Sequence, residues 1–144
     1  GTILQSPWKK GWVRINGDVF TLDHIEHNIL RPRYKDPRVH FAINCAAASC
    51  PPLRPEPFLA EKLDQQLDDS TRSFINDTDS YRLDGNTLYV SRIFNWFSED
   101  FNEDALGFYL QYAEDDFKEK LNRIKDRIKI KYLHYDWSLN DVRG

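Results

Sequence analysis

The fold is decided largely by one stretch, Asp36-Pro-Arg-Val-His40-Phe-Ala-Ile-Asn44-Cys45-Ala-Ala-Ala-Ser-Cys50-Pro-Pro-Leu53. The short, mostly apolar run from Val39 to Asn44 follows a proline break, so a strand is predicted there. The small and turn-forming residues after Cys45 predict a loop. Cys45 is therefore expected at the end of a strand, where side chains meet a cleft.

The alternation of side chains along that strand separates its two reactive residues. His40 shares one face with Ala42 and Asn44, whereas Cys45 lies on the opposite, apolar face. An apolar face normally packs inward, so His40 is predicted to face a polar cleft and Cys45 the core. His40 and Cys45 can cooperate only if a bulge or turn breaks the pleat at Asn44-Cys45.

Outward from this stretch, turn chemistry and hydrophobic period predict the other elements. Asn16-Gly17 and Asp84-Gly85-Asn86 each predict a β-hairpin between apolar runs. The spacing of apolar residues predicts helices over 22–30 (ended by Pro32), 58–75, 93–97 and 103–124, and a half-buried strand over 128–132. We therefore predict an α+β fold, with helices packed on a small antiparallel or mixed sheet with two β-hairpins.

Composition narrows the class of protein and excludes several partners. With 144 residues, 40% of them hydrophobic, the chain is expected to form a single domain over residues 1–144. No apolar run approaches the ~20 residues of a membrane span. A net charge of −3 does not provide the positive electrostatic potential that attracts nucleic acid, so a nucleic-acid partner is not predicted. No Gly-rich phosphate loop or comparable motif is present, so no cofactor is predicted.

The beginning of the chain indicates that it is a piece of a larger protein or domain. The sequence contains no methionine and opens with Gly1-Thr2. What remains holds no signal peptide, which leaves the compartment open. An exported or periplasmic location is the one that would permit a disulfide between Cys45 and Cys50.

Three roles stay open for Cys45. It is a small buried residue, a disulfide partner of Cys50, or a reactive thiol whose pKa a histidine lowers. His40 is the nearest histidine in sequence, and His27 on the first helix is the alternative. No metal site is predicted, because the cysteines and histidines lack the paired spacing of zinc ligands.

Charged residues on the first helix and at the start of the strand predict an ion pair. The side chains of Glu26 and His27 project from the helix in neighbouring directions, and Arg31 lies four or five residues further on, within side-chain reach of both. Arg38 opens the strand that carries His40. We expect at least one of these arginines to meet Glu26 or another carboxylate in a partly buried, charge-assisted bridge.

Two later segments also carry recognisable motifs: Ser91-Arg-Ile-Phe-Asn-Trp96-Phe-Ser-Glu-Asp100-Phe101 and Lys131-Tyr-Leu-His-Tyr135-Asp136-Trp137. Together with the first helix and the stretch from Asp36 to Leu53, they resemble the family catalogued as domain of unknown function 547. The resemblance covers about residues 1–142. That family usually carries an upstream helix that this sequence lacks. The resemblance thus implies that the missing upstream segment of the same polypeptide is one partner of this piece.

The resemblance implies no settled activity, so two functions from different classes are predicted. The first is a non-catalytic binding or scaffolding module with a protein or peptide partner, its surface drawn from Trp8, Trp12, Trp96, Phe97 and Trp137, and with His27, Arg31, Arg38, Asn44 and Cys50 as binding residues. The alternative is a thiol-dependent hydrolase or transferase, by analogy with papain-like and transglutaminase-like folds. Cys45 would be its nucleophile, His40 its base, and Glu26 or Asp36 the group orienting the imidazole.

Overall fold

The computed structural model describes residues 9–21, 24–44 and 47–139. The chain divides into two compact units, residues 1–36 and residues 37–144. The prediction of a single domain over residues 1–144 stays a prediction.

The first unit contains the β-hairpin predicted at Asn16-Gly17. Strand β1 (Gly11–Ile15) pairs antiparallel with β2 (Asp18–Thr21), with a bulge near the start of β1. Asn16 and Gly17 both have positive φ, 51° and 87°. A two-residue type I′ turn requires positive φ at both positions, so this hairpin is confirmed for the reason given by the sequence.

A helical segment follows the hairpin and runs past the residue predicted to end it. Thr21 Oγ1 accepts a hydrogen bond of 2.9 Å from the backbone N–H of His24, as a helix cap does. A π-helical turn, Ile25–Leu30, leads into helix α1 (Arg31–Tyr34). The predicted stop at Pro32 is wrong, because proline is tolerated in the first turn of an α-helix. Residues 22 and 23 lie outside the described residues.

The second unit begins with a 3₁₀ helix, Pro37–Phe41, where the sequence predicted a strand. A strand offers two faces, whereas a 3₁₀ helix with three residues per turn offers three directions. The segment uses them: Arg38 and His40 each meet an acidic side chain on a different element, and Phe41 enters the core. The prediction of a strand over Val39–Asn44 is therefore wrong.

Helix α2 (Leu63–Asn76) is the longest helix among the described residues, and a 3₁₀ turn, Ala60–Lys62, precedes it. The predicted helix over 58–75 is confirmed apart from its first residues. The Gln66 side chain holds the lead-in extended, since it accepts from Leu59 N at 2.8 Å and donates to Pro57 O at 2.9 Å.

A mixed three-stranded sheet contains the second predicted hairpin. Strand β3 (Arg82–Asp84) pairs antiparallel with β4 (Thr87–Val90), which pairs in parallel with β5 (Lys129–Tyr132). Gly85 turns the hairpin with φ +57°. The hairpin at Asp84-Gly85-Asn86, the strand over 128–132 and the α+β class are thereby confirmed.

The helix predicted over 103–124 is two helices, after α3 (Ile93–Trp96) and a 3₁₀ turn, Ser98–Phe101. They are α4 (Ala105–Tyr112) and α5 (Asp115–Ile124), with Ala113 and Glu114 extended between them. The Asn76 side chain stabilises the break by donating to Tyr112 O at 3.0 Å and accepting from Glu114 N at 2.9 Å. A continuous helix here is therefore a wrong prediction.

Aromatic residues dominate the core of the second unit. The buried cluster comprises Phe41, Phe74, Ile75, Leu88, Val90, Ile93, Phe94, Phe101, Phe108, Tyr109, Tyr112, Ala113, Phe117 and Leu121. Phe41 lies against four other phenylalanine rings of this cluster, at centroid distances from 4.9 to 6.0 Å. Within the described part of the chain, no helix has the length and apolar character needed to cross a bilayer.

Candidate functional site

His40 is paired with Asp100 inside the second unit. The His40 imidazole Nε2 lies 2.7 Å from Asp100 Oδ2. The histidine comes from the 3₁₀ helix Pro37–Phe41 and the aspartate from the 3₁₀ turn Ser98–Phe101. The contact therefore joins two short turns that are 60 residues apart in sequence.

The surroundings of His40 contradict the prediction of a polar cleft. The residue is 5% exposed, and its ring stacks on Phe97 at 4.3 Å and lies 5.6 Å from Phe101. The 3₁₀ geometry turns His40 inward together with Phe41, which the predicted strand could not do. The imidazole is thus held between aromatic rings with a carboxylate as its polar partner.

Arg38 makes the partly buried bridge that the sequence predicted for at least one arginine. Its guanidinium lies 2.8 Å from Asp64 Oδ1 and 3.0 Å from Asp68 Oδ1, and its side chain is 16% exposed. The Tyr112 hydroxyl donates to the same Asp68 oxygen at 3.4 Å. Charge-assisted bonds of this kind are short and directional. Arg38 therefore fastens the 3₁₀ helix Pro37–Phe41 to helix α2.

Three of the predicted site residues belong to the first unit. Arg31 Nη1 lies 3.1 Å from His27 Nδ1, one helical turn away. Glu26 falls in the same π-helical turn, Ile25–Leu30. His40 belongs to the other unit, so a contact between Glu26 and His40 stays a prediction.

Cys50 is disulfide-bonded, and among the described residues no cysteine is free. Cys45, the only other cysteine in the sequence, lies outside the described residues. Cys50 is 8% exposed and packs with Ala47 and Tyr135 in a small cluster of its own. Asn44 closes the loop before it by donating to Pro51 O at 2.9 Å.

The loop that leads to Cys50 holds the last described segment of the chain. Ala48 N donates to Ser138 O at 2.8 Å, and Ser49 N donates to Asp136 O at 3.2 Å. In return Asp136 N donates to Ser49 Oγ at 2.8 Å. This two-way bonding fixes residues 136–138 against residues 48–49, across a long separation in sequence.

Three aromatic side chains, Trp96, Tyr135 and Trp137, form what we call the aromatic patch. Their ring centroids lie 4.6 to 5.7 Å apart in all three pairs. Tyr135 is buried, whereas Trp96 and Trp137 are 44% and 68% exposed. Two indole rings in contact with each other thus face solvent over a buried tyrosine.

Two titratable groups, one within the aromatic patch and one beside it, have shifted pKa values. Hydrogen bonds from Ser138 lower the pKa of Asp136, whose Oδ1 accepts from Ser138 N at 2.9 Å. The proximity of His134 lowers the Asp136 pKa further. Burial raises the pKa of Tyr135. The turn that carries Trp137 is therefore stabilised by an ionised carboxylate.

Sequence reasoning missed the acidic partners of this region. Asp100 lies between Phe97 and Phe101, and a carboxylate placed within an aromatic run was the available signal that it faces inward. No local sequence pattern indicated that Asp64 or Asp68 would bind an arginine, because both occupy positions typical of the exposed face of an amphipathic helix. Within residues 9–21, 24–44 and 47–139, no group of three His, Cys, Asp or Glu side chains is placed to hold a metal ion.

Comparison with known families places these residues in a wider group. The family described as "Protein of unknown function, DUF547" matches residues 2–75, which is just over half of the chain. Neither the search of curated proteins nor the search of solved structures found a match. The matched range includes Arg38, His40 and both cysteines. The chain belongs to the DUF547 family of proteins of unknown function.

Proposed function

We propose that this chain is a non-catalytic binding module whose contact surface is the aromatic patch. The observation that carries the proposal is the exposure of two stacked indoles, 44% for Trp96 and 68% for Trp137, with centroids 5.7 Å apart. Tryptophan is enriched among the residues that dominate the affinity of protein interfaces. Its large apolar ring gains free energy when a partner removes it from water.

The backbone around the patch supports the proposal, because it holds the indoles ready for a partner. Trp137 sits between Asp136 and Ser138, and both bond to the loop of Ala48 and Ser49. Trp96 ends helix α3. A surface that is ordered before binding loses less conformational entropy when the partner arrives.

The state of Cys50 supports a non-catalytic reading. Cys50 is disulfide-bonded and the chain has one other cysteine, so we infer that Cys45 is its partner. A disulfide sulfur is not a thiolate nucleophile. The same bond closes the loop that carries Ala48 and Ser49, and it thereby braces the segment of Trp137.

The partner we propose is a protein or peptide segment with apolar side chains, and peptide display provides the test. Linear peptides are selected on the wild-type chain, and affinities are measured for the double variant W96S/W137S. The matched control is Leu53→Ser, because Leu53 is also a large exposed apolar residue, at 76%, and is not part of the patch. Selected peptides are expected to lose affinity for the double variant and to keep it for the control.

Two results would overturn this proposal. One is the selection of no peptide above background. The other is equal affinity for wild type and W96S/W137S, with circular dichroism showing both folded.

A thiol-dependent hydrolase is the second candidate, and the contact between His40 and Asp100 favours it. A carboxylate on one imidazole nitrogen is the arrangement that orients the base in such enzymes. Asp100 would then take the orienting role that the sequence suggested for Glu26 or Asp36. Against this candidate, His40 is buried between phenylalanine rings and Cys50 is oxidised.

Alkylation separates the two candidates. The native chain is treated with iodoacetamide at neutral pH, once without and once with a reductant. The labelled cysteines are then identified by mass spectrometry of the digested protein. The module predicts labelling of Cys45 only after reduction. Labelling of Cys45 without reductant, lost in His40→Ala, would support the hydrolase instead.

A further inference from the structure

A cavity of about 450 Å³ lies in the second unit, apart from the exposed faces of the two tryptophans. Its walls are the turn after helix α2, the carboxyl ends of β4 and β5, and the loop at Ser49 and Cys50. Buried Phe74, Ser91 and Tyr135 contribute to its lining. Cavities of this size suit small organic ligands.

Two arginines at this cavity lack acidic partners among the described residues. Arg92 is half-buried just after β4, and its guanidinium makes no hydrogen bond or ion pair with them. Arg82 stacks over the Tyr89 ring at 4.0 Å and is likewise without an ion pair in the described part of the chain. By contrast Arg38, Arg54, Arg72 and Arg123 all have carboxylate partners.

An unpaired, half-buried guanidinium is unusual, because partial burial removes water from a charge that no carboxylate compensates. A ligand carboxylate would fill that role, since the planar guanidinium donates two parallel hydrogen bonds to it. His134, which lines the same cavity, offers a further nitrogen to an anionic group.

Negatively charged side chains also line the cavity. Asp77 and Asp79, from the turn after α2, line it as well, and Asp77 Oδ1 already accepts from Asp79 N at 3.0 Å. Their charges disfavour a ligand with several negative charges, whereas a single carboxylate on a neutral body meets the arginine with less repulsion. Phe74 and Tyr135 offer ring surface to that body.

We propose that this cavity binds a small organic molecule through a single carboxylate group held by Arg92. The site is independent of the peptide contact proposed for the aromatic patch. The two share Tyr135 alone, whose ring contacts both indoles and also lines the cavity.

Titration followed by amide NMR tests the proposal on the whole chain. The probes are benzoate, its neutral isostere benzamide, and inorganic phosphate. Benzoate is expected to shift the amide signals of Ser91, Arg92 and Leu133 saturably, whereas benzamide and phosphate are not. Arg92→Gln is expected to weaken benzoate binding about tenfold, as the loss of a charge-assisted pair does. Arg127→Gln, an exposed arginine away from the cavity, is the matched control and is expected to bind like wild type.

Several results would overturn the carboxylate site. They are the absence of saturable shifts, equal binding of benzoate and benzamide, binding of phosphate as tight as that of benzoate, or unchanged affinity in Arg92→Gln. The comparison of benzoate with benzamide uses the wild-type chain, so it decides the point even if Arg92→Gln fails to fold. Loss of peptide binding by W96S/W137S with benzoate binding intact would separate this site from the aromatic patch.

Discussion

His40 Nε2 lies 2.7 Å from Asp100 Oδ2, and this contact links two 3₁₀ segments that both border the aromatic core. The imidazole is enclosed by Phe97 and Phe101, so Asp100 is the polar group that its Nε2 meets. A buried polar group that loses its partner carries a desolvation penalty. The pair therefore has a structural role that does not depend on any reaction.

Removing the carboxylate is expected to destabilise the second unit. Asp100→Ala leaves the buried His40 nitrogen without this partner and is expected to cost about 2 kcal/mol of unfolding free energy. Urea denaturation measures it. Glu99→Ala is the control, because Glu99 is the exposed neighbour in the same turn. A stability of Asp100→Ala equal to that of the control would contradict a structural role for the pair.

The break between helices α4 and α5 is expected to depend on Asn76. Asn76→Ala removes both side-chain hydrogen bonds to the break, one to Tyr112 O and one from Glu114 N. The expected loss is about 2 kcal/mol of unfolding free energy, since one part-buried and one exposed hydrogen bond disappear together. Asn122→Ala serves as the control, because the exposed Asn122 side chain bonds only within its own helix among the described residues. Equal chemical-denaturation midpoints for the two variants would show that the break forms without Asn76.

The contrast between the two confirmed hairpins and the continuous helix wrongly predicted over 103–124 shows where the local sequence is informative. At Asn16-Gly17 and at Gly85 the backbone conformation follows from residue chemistry within four positions. The break at Ala113 and Glu114 has its cause in Asn76, 38 positions from Glu114. The apolar period continues across the break, so the local pattern alone predicts one helix.

The candidate site, like the fold, could be predicted from the sequence only where the cause is local. Arg38 and His40 could be singled out from the sequence, because charged residues beside an apolar run need partners. Their partners Asp64, Asp68 and Asp100 depend on which helices pack together, and no local pattern encodes that. The strand predicted over Val39–Asn44 failed for a related reason, since a short apolar run fits a strand and a buried 3₁₀ turn equally well.

Alkaline pH is expected to destabilise the second unit through its buried phenols. Burial raises the pKa of Tyr81, Tyr109 and Tyr135 above the ordinary value of about 10. Unfolded tyrosines lose their protons first, so stability is full below about pH 10 and falls as the pH rises above it. Thermal midpoints across this range measure the fall.

Tyr109→Phe is expected to flatten that fall more than the control Tyr132→Phe does. Tyr109 is completely buried, whereas Tyr132 is 39% exposed. Equal slopes of stability against pH in the two variants would mean that Tyr109 does not contribute to the alkaline loss.

Acid is expected to loosen the turn that carries Trp137. The pKa of Asp136 is lowered by its hydrogen bonds from Ser138, so the folded chain favours the ionised carboxylate. This stabilisation is present above the ordinary carboxyl pKa of about 3.9 and is lost as the pH falls through the lowered value. Tryptophan fluorescence should report the change, and Asp136→Asn should remove it. If the control Asp126→Asn, at another exposed aspartate, also abolishes this acid transition in fluorescence, the transition does not arise from Asp136.

The affinity of a display-selected peptide for the wild type and for W96S/W137S tests the binding-module account most directly. Truncation of a hot-spot tryptophan costs about 2 kcal/mol or more, so the double variant, at about 4 kcal/mol, is expected to bind about 1,000-fold more weakly. Leu53→Ser is expected to bind like the wild type. A dissociation constant for folded W96S/W137S within about threefold of the wild-type value would contradict the account, because that is less than 1 kcal/mol.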